Sequence, residues 1–235
     1  MLKQILLSFF LLTTLSFTRE LPSDSKIQGR LNIINGASAE CVMHQFYTQS
    51  GWTKIEGQIG RGGIDGLYFQ KKNGAIKDVL VAESKWNTSQ LGRSGKNKAV
   101  KQMSKEWVMR TMDKLVKKMS SQTYATLKRF IENDQYRARL FRLKPISGNA
   151  IQISIYRIKN KGLKAFDEIV DTQLSPIDIN KPKNSFETRM VKAYNECRNE
   201  NLHKYLSVLS NDEINILLQD NYIQKKDVKL VFNQN

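Results

Sequence analysis

Asp65, Glu83, Ser84 and Lys85 are the residues whose types and spacing most directly imply chemistry. They lie in residues 60–86, GRGGIDGLYFQKKNGAIKDVLVAESKW. Two apolar runs there, 64–69 and 79–86, each hold one acid near an end, with Lys71-Lys72-Asn73-Gly74 between them. Asn-Gly between two β-rich runs signals a tight antiparallel hairpin. Strand residues two apart share a face, so Glu83 and Lys85 point the same way. Asp65 can stand beside them on the neighbouring strand. Two carboxylates and one ammonium on a sheet face are costly to bury unless a partner offsets them. A hard cation would be such a partner.

The elements around this hairpin must position it. Leu31, Ile34, Ser38, Cys41 (with Val42) and Phe46 recur at helical spacing, which predicts a helix over 30–49 ended by Gly51. Glu40 lies off that stripe, in line with Gly36, Met43 and Tyr47. A strand is expected over 52–59, and Glu56 there is a rival upstream carboxylate to Glu40. Gly60-Arg61-Gly62-Gly63 and Gly92-Arg93-Ser94-Gly95-Lys96 lack the continuation of a nucleotide-cradling loop; the second reads as a flexible basic loop. Val100, Met103, Trp107, Thr111 and Leu115 predict a helix over 97–119, with Lys98, Lys101, Gln102, Lys105 and Glu106 beside the stripe. A further helix is expected over 122–133, then alternating strands over 137–143 and 150–158. Arg137, Arg139 and Arg142 should face solvent or ligand at least in part. Beyond 161 the pattern is polar, with helices over 186–209 and 212–218, the latter capped by Asn211, and a last strand over 225–232.

A helix with Glu40, a hairpin with Asp65 and Glu83-Ser84-Lys85, a helix with Gln102 and more strands follow in that order. This arrangement resembles the PD-(D/E)XK, or restriction-endonuclease-like, nuclease superfamily, in particular its bacterial polymorphic and contact-dependent inhibition toxin branch. GIDGLYF is similar to that branch's first acid motif, VAESKW to its E-x-K motif, and KQMSKEW to the helix that follows. Ile64 stands where the family carries proline. The resemblance covers about residues 30–158. It implies an α/β (α+β) fold, a mixed β-sheet flanked by helices, with a nuclease domain at 30–160; the residue pattern beyond it adds a mainly helical C-terminal extension at 161–235.

The resemblance also implies roles. Asp65 and Glu83 would hold Mg²⁺ or Mn²⁺, with the Ser84 backbone carbonyl as a third ligand and Glu40 acting directly or through a water. Lys85 would position the attacking water or stabilise the transition state as a point charge. Gln102 would hydrogen-bond near Lys85 or a phosphate. The reaction would be phosphodiester hydrolysis, with DNA ahead of RNA as substrate. A toxin of this kind implies an immunity protein as partner.

Composition bounds the readings. The net charge is +16, and residues 85–144 carry 16 Lys or Arg against 4 Asp or Glu, so +12 of it is concentrated there. That excess favours a phosphate backbone or an anionic membrane as partner. Arg61, Arg93, Lys96, Lys98, Lys101 and Lys105 are the candidate backbone contacts. Two cysteines, Cys41 and Cys197, and two histidines exclude a zinc-finger framework and a histidine-cluster nuclease. Cys41 reads as a small core residue, or as one half of a Cys41–Cys197 bridge if the protein is exported.

Lys3 followed by ILLSFFLLTTLSF reads as a secretory signal peptide over 1–20, with 21–29 a polar linker; an uncleaved anchor or a buried arm is the alternative. After signal removal no membrane span is expected, and the destination is the periplasm or the outside of the cell. An exported metal-dependent nuclease thus leads the readings. An intracellular repair or restriction enzyme and a non-catalytic basic nucleic-acid-binding protein compete with it.

Overall fold

The computed structural model of the chain describes residues 24–55, 63–94, 100–146, 149–159, 167–206 and 209–219. The expected leader over 1–20 and last strand over 225–232 lie outside them, as do Glu56, Arg61, Lys96 and Lys98.

The first element, α1 (Asp24–Gln49), already includes residues expected as linker. Gly51 ends it with a left-handed backbone, φ 81°. The Gly51 and Trp52 amides then donate back to the Thr48 and Tyr47 carbonyls, at 3.1 Å each. Next come β1 (Thr53–Lys54), β2 (Gly66–Lys72) and β3 (Ala75–Trp86). β2 and β3 form the expected antiparallel hairpin, with Gly66 opposite Ala82 and Phe69 opposite Val79. Asn73 (φ 53°) and Gly74 (φ 77°) both take the left-handed backbone that such a two-residue turn demands.

The helix expected over 97–119 is divided. Arg93–Ser94 (β4) and Val100–Lys101 (β5) pair as a small ribbon, and Gln102 and Met103 turn the chain before α2 (Lys105–Met112) begins. The Ser104 side chain caps α2 by accepting from the Trp107 amide at 3.4 Å, which starts the helix there rather than earlier. A 3₁₀ stretch (Asp113–Lys118) leads to α3 (Ser121–Glu132). β6 (Arg137–Ile146) then returns parallel to β3, with Glu83 opposite Leu140 and Lys85 opposite Arg142. β7 (Ala150–Lys159), β8 (Asp167–Gln173), β9 (Ile177–Asp178), α4 (Ser185–Leu206) and α5 (Asn211–Gln219) complete the described chain.

The sheet order is β1-β2-β3-β6-β7-β8, with β9 on β7, a mixed sheet flanked by helices as expected. Alternate residues of β3 serve two cores. Val79 and Val81 pack with Val108, Leu127 and Ile131 of α2 and α3. Leu80 and Ala82 pack with Val42 and Met43 of α1 and Met190 and Tyr194 of α4. Each large apolar side chain so buried contributes about 1.5–3 kcal/mol.

The region after 160 is neither set apart nor simply helical. β8 extends the sheet, and α4 lies along α1, where Leu31 and Ile34 meet Leu202 and Leu206 with Ile214 and Leu217 of α5. Cys41 and Cys197 form a disulfide across the α1–α4 seam. The cap of α5 is Ser210, not Asn211. Its hydroxyl accepts from the Glu213 amide (3.4 Å) while Glu213 accepts from the Ser210 amide (2.9 Å), a reciprocal capping box. No helix among the described residues is long and apolar enough to cross a membrane.

Candidate active site

β3 outruns its neighbour. β2 begins at Gly66, opposite Ala82, so Glu83, Ser84 and Lys85 continue along an edge that β2 no longer covers. Asp65 stands at that break, just before β2 rather than on it, and accepts a hydrogen bond from the Ser84 amide at 2.9 Å. The N–H and C=O of one strand residue leave on the same edge. The Ser84 carbonyl is therefore directed to the side where Asp65 stands. Glu83 and Lys85 share the other orientation, as their period of two requires, and Lys85 Nζ donates to Glu83 Oε1 at 2.9 Å.

Gln102 is the third member of this group. Its Nε2 donates to Glu83 Oε1, and its Oε1 accepts from the Gly92 amide at 3.0 Å. It is a clamp between Glu83 and the Gly92 loop, on a turn before α2 rather than on a helix, and it shares Glu83 Oε1 with Lys85. Met103, wholly buried, takes φ 73°, and a non-glycine residue in that region costs about 1–3 kcal/mol. That strained turn carries Gln102 out of β5 and up to Glu83.

Glu83 is 1% exposed, and its Oε2 has no hydrogen-bond donor among the described residues. Burial, and then the neighbouring Asp65 charge, push its carboxyl well above the usual carboxylate range. Burial also raises Asp65, against the lowering pull of the Ser84 amide, with Glu40 adding to the rise. Two buried acids whose like charges repel and one orphaned oxygen form an arrangement that a proton or a cation would relieve.

Glu40 reaches the same place from α1. Its Oε1 lies 3.3 Å from His44 Nε2, and His44 Nδ1 lies 2.5 Å from the Tyr68 hydroxyl. Burial pushes the Tyr68 phenol up, so it keeps its proton and donates it to Nδ1. The other ring nitrogen then donates to Glu40. Gly66 makes room for this: a Cβ there would collide with the Tyr68 ring. His44 and Tyr68 were not singled out from the sequence; only the position of His44 one turn after Glu40 could have pointed to it.

These walls enclose a cleft of about 660 Å³. α1 supplies Glu40 and His44, the β2 entry supplies Asp65, β3 supplies Glu83 to Lys85, and Gln102 closes one side. The remaining wall is α4, with Glu200, Asn201, Lys204 and Tyr205. So Glu40, Asp65, Glu83, Ser84, Lys85 and Gln102 are brought together. Of the basic residues expected on nucleic acid, the described ones, Arg93, Lys101 and Lys105, are not. Lys105 is held by the Glu132 carbonyl (2.7 Å) and Asp134 (3.1 Å). Arg93 and Lys101 sit on the β4–β5 ribbon and do not line the cleft. Arg137 pairs with Asp78 at 2.5 Å, and Arg142 donates to the Asn87 and Ser89 carbonyls at 2.7 and 2.9 Å.

Whether the donors fit a metal depends on their number and kind. Among the described residues no three His, Cys, Asp or Glu side chains gather as a metal-binding group. Asp65 and Glu83 form a carboxylate pair, and Glu40, bonded to His44, lines the same cleft. Mg²⁺ keeps several waters and is commonly bound by one or two carboxylates together with substrate oxygens. The Asp65–Glu83 pair, the orphaned Glu83 Oε2 and the adjacent Ser84 carbonyl fit that pattern, and Glu40 would complete it directly or through a water.

No protein-family model, curated protein or solved structure matches the chain.

Proposed function

We propose that the protein is an exported, metal-dependent nuclease that hydrolyses phosphodiester bonds, with DNA as substrate ahead of RNA, acting as a toxin or effector. The observation that carries this reading is the buried Glu83, paired to Lys85, clamped by Gln102 and set beside Asp65 with one oxygen unsatisfied. A site that only bound a polyanion would not bury carboxylates against it. Mg²⁺ or Mn²⁺, held by Asp65, Glu83 and the Ser84 carbonyl, would lower the pKa of a water and neutralise phosphate charge.

The chain's own residues do the rest. Lys85, fixed by Glu83, presents its ammonium to the attacking water or to the charge that grows on the phosphoryl oxygens. Gln102 holds Glu83 in one rotamer, so the acid keeps its aim when substrate arrives. Glu40, oriented by His44, accepts a hydrogen bond from a water on the α1 side. Lys85 is a point charge on a short tether; its hydrogen bond to Glu83 restricts it to one side of the cleft.

Export is supported by the Cys41–Cys197 bond, since structural disulfides persist in oxidising compartments. An immunity protein is the partner such a toxin needs in its producing cell. The purified protein should nick plasmid DNA with Mg²⁺ or Mn²⁺ and not with EDTA. Glu83→Ala and Lys85→Ala, folded as judged by their melts, should not cut. Persistent cutting by folded Glu83→Ala would remove the site. Parallel assays on tRNA decide the substrate, and sequencing the mature N-terminus decides export.

A further inference from the structure

The carboxylates lie at an edge of the sheet, between the layers that cover its two faces. On one face α1 and α4 pack on Leu80 and Ala82; on the other α2 and α3 pack on Val79 and Val81. Where β3 outruns β2, Glu83 and Ser84 form the floor of a crevice. Its described walls are α1 with α4 on one side and the turn that carries Gln102 on the other. A crevice between two such layers is about 10 Å wide, the thickness of the layer it interrupts.

Both walls are tied down. α4 is joined to α1 by the Cys41–Cys197 bond and by Leu31 and Ile34 against Leu202 and Leu206. Gln102 bonds Glu83 with one end and accepts from the Gly92 amide at 3.0 Å with the other. The enclosed volume of about 660 Å³ lies within the range of about 300–1,000 Å³ that surrounds a small molecule. A double helix is a stiff rod whose major groove alone is about 12 Å wide, too broad to carry a phosphate down to Glu83. A single strand is slender enough to bring one phosphate to the floor while its bases turn to a wall. Tyr205 offers such a wall. Its half-buried ring packs on the Leu202 and Leu206 cluster and lines the cleft. The Lys204 Nζ lies 5.3 Å from the ring centroid, so a base stacking on Tyr205 meets a cation beside it.

We propose that the site takes a single nucleic-acid strand, or a locally unpaired stretch, in preference to an intact duplex, with Tyr205 stacking on one base. The proposal rests on the nuclease reading for the reaction and on the crevice for the strand. Supercoiled plasmid, whose strands part under torsion, stays a substrate on this view, and relaxed linear duplex becomes a poor one.

The test measures binding of the full-length oxidised protein, in EDTA and at low salt, to a labelled DNA oligonucleotide, single-stranded or annealed to its complement. The single strand should bind at least about tenfold more tightly than the duplex. Tyr205→Leu, which keeps an apolar side chain on the core, should lose about tenfold on the single strand, the scale of one base–aromatic stack, and nothing on the duplex. Tyr205→Phe should bind like wild type. A purely structural Tyr205 would shift the melt and weaken both ligands alike. Equal or tighter binding of the duplex overturns the proposal, as does binding of neither. An unchanged single-strand affinity in Tyr205→Leu overturns the stacking role. Because no metal is present, this readout is separate from cleavage. A single-strand preference with no cutting of any substrate under Mg²⁺ supports the proposal and rejects the nuclease reading. Cutting of relaxed duplex as fast as single strand does the reverse.

Discussion

On the β3 wall of the cleft Glu83 is 1% exposed and its Oε1 takes two donors, Lys85 and Gln102. On the α4 wall Glu200 and Lys204 stand in solvent, on a helix fastened through Cys197. Burying charge costs several kcal/mol per ion, whereas exposed charge costs little and is screened. The β3 wall has the features of a site for chemistry, where desolvated charge acts strongly. The α4 wall carries exposed charge, which water and salt screen.

The sharpest way to break this contrast is Glu83→Gln. Cleavage should fall by about 10³-fold, the scale of losing one preorganised electrostatic group in a desolvated site. The melt should stay cooperative. Equal activity would place the chemistry elsewhere. The same variant carries a pH signature. The Glu83 and Asp65 carboxyls are raised in the folded state, so the folded protein binds more protons than the unfolded chain just above the usual carboxylate pKa. Stability of the metal-free protein should then fall as pH rises from about 4.5 towards neutral. In Glu83→Gln that fall should be smaller, and Mg²⁺ should restore wild-type stability at neutral pH. Urea titrations at several pH values, with EDTA and with Mg²⁺, read this directly. A pH dependence identical in both proteins would mean that Glu83 ionises without strain.

Removing the tether tests the other wall. Cys41→Ser with Cys197→Ser opens a cross-link between positions 156 residues apart and should lower stability by about 2–5 kcal/mol. Urea unfolding of oxidised, reduced and double-Ser proteins measures it. Reduced wild type should match the double variant. A loss below about 0.5 kcal/mol would leave apolar packing alone to hold α4.

Gly66→Ala is a smaller intrusion, between the two walls. The new Cβ must displace the Tyr68 ring, and overpacking a core costs about 1–3 kcal/mol. Because Tyr68 holds His44, and His44 holds Glu40, cleavage should fall along with stability. Tyr68→Phe, which keeps the ring and loses the hydroxyl, separates the two effects. The smallest change lies outside the cleft. Ser210→Ala removes the cap of α5 and should cost about 1 kcal/mol with cleavage unchanged. A drop in activity there would show that α5 reports to the α4 wall.

Much of the β3 wall is legible locally. The Asn73-Gly74 turn, the alternation of 79–86 and the same-face placement of Glu83 and Lys85 depend on neighbours within a few residues. α3 and α4 follow from their apolar spacing in the same way. Gln102 was found as a residue but misplaced as a structure. A stripe through Val100 and Met103 reads as helical, yet Ser104 caps the helix only after them, and Val100 is taken by the β4–β5 ribbon. Lys105 and Arg142 illustrate a second limit. Lys105 reads as a phosphate contact and Arg142 as a residue facing solvent or ligand, and carbonyls far along the chain take both, at Glu132 and at Asn87 and Ser89.

The sequence by itself determined the hairpin, the E-x-K face and helices α1, α3, α4 and α5, because short-range steric and period rules act on adjacent residues. It also concentrated +12 of the net charge of +16 within residues 85–144. Only the tertiary structure decided which charges meet. It ended β2 before Glu83, so that Asp65 stands at a gap. It laid α4 beside Glu40 and joined Cys41 to Cys197, and it buried Glu83 with one oxygen unmatched. Those outcomes depend on contacts between residues 19 to 156 positions apart. No local pattern encodes such contacts; the packing of two faces on one sheet does.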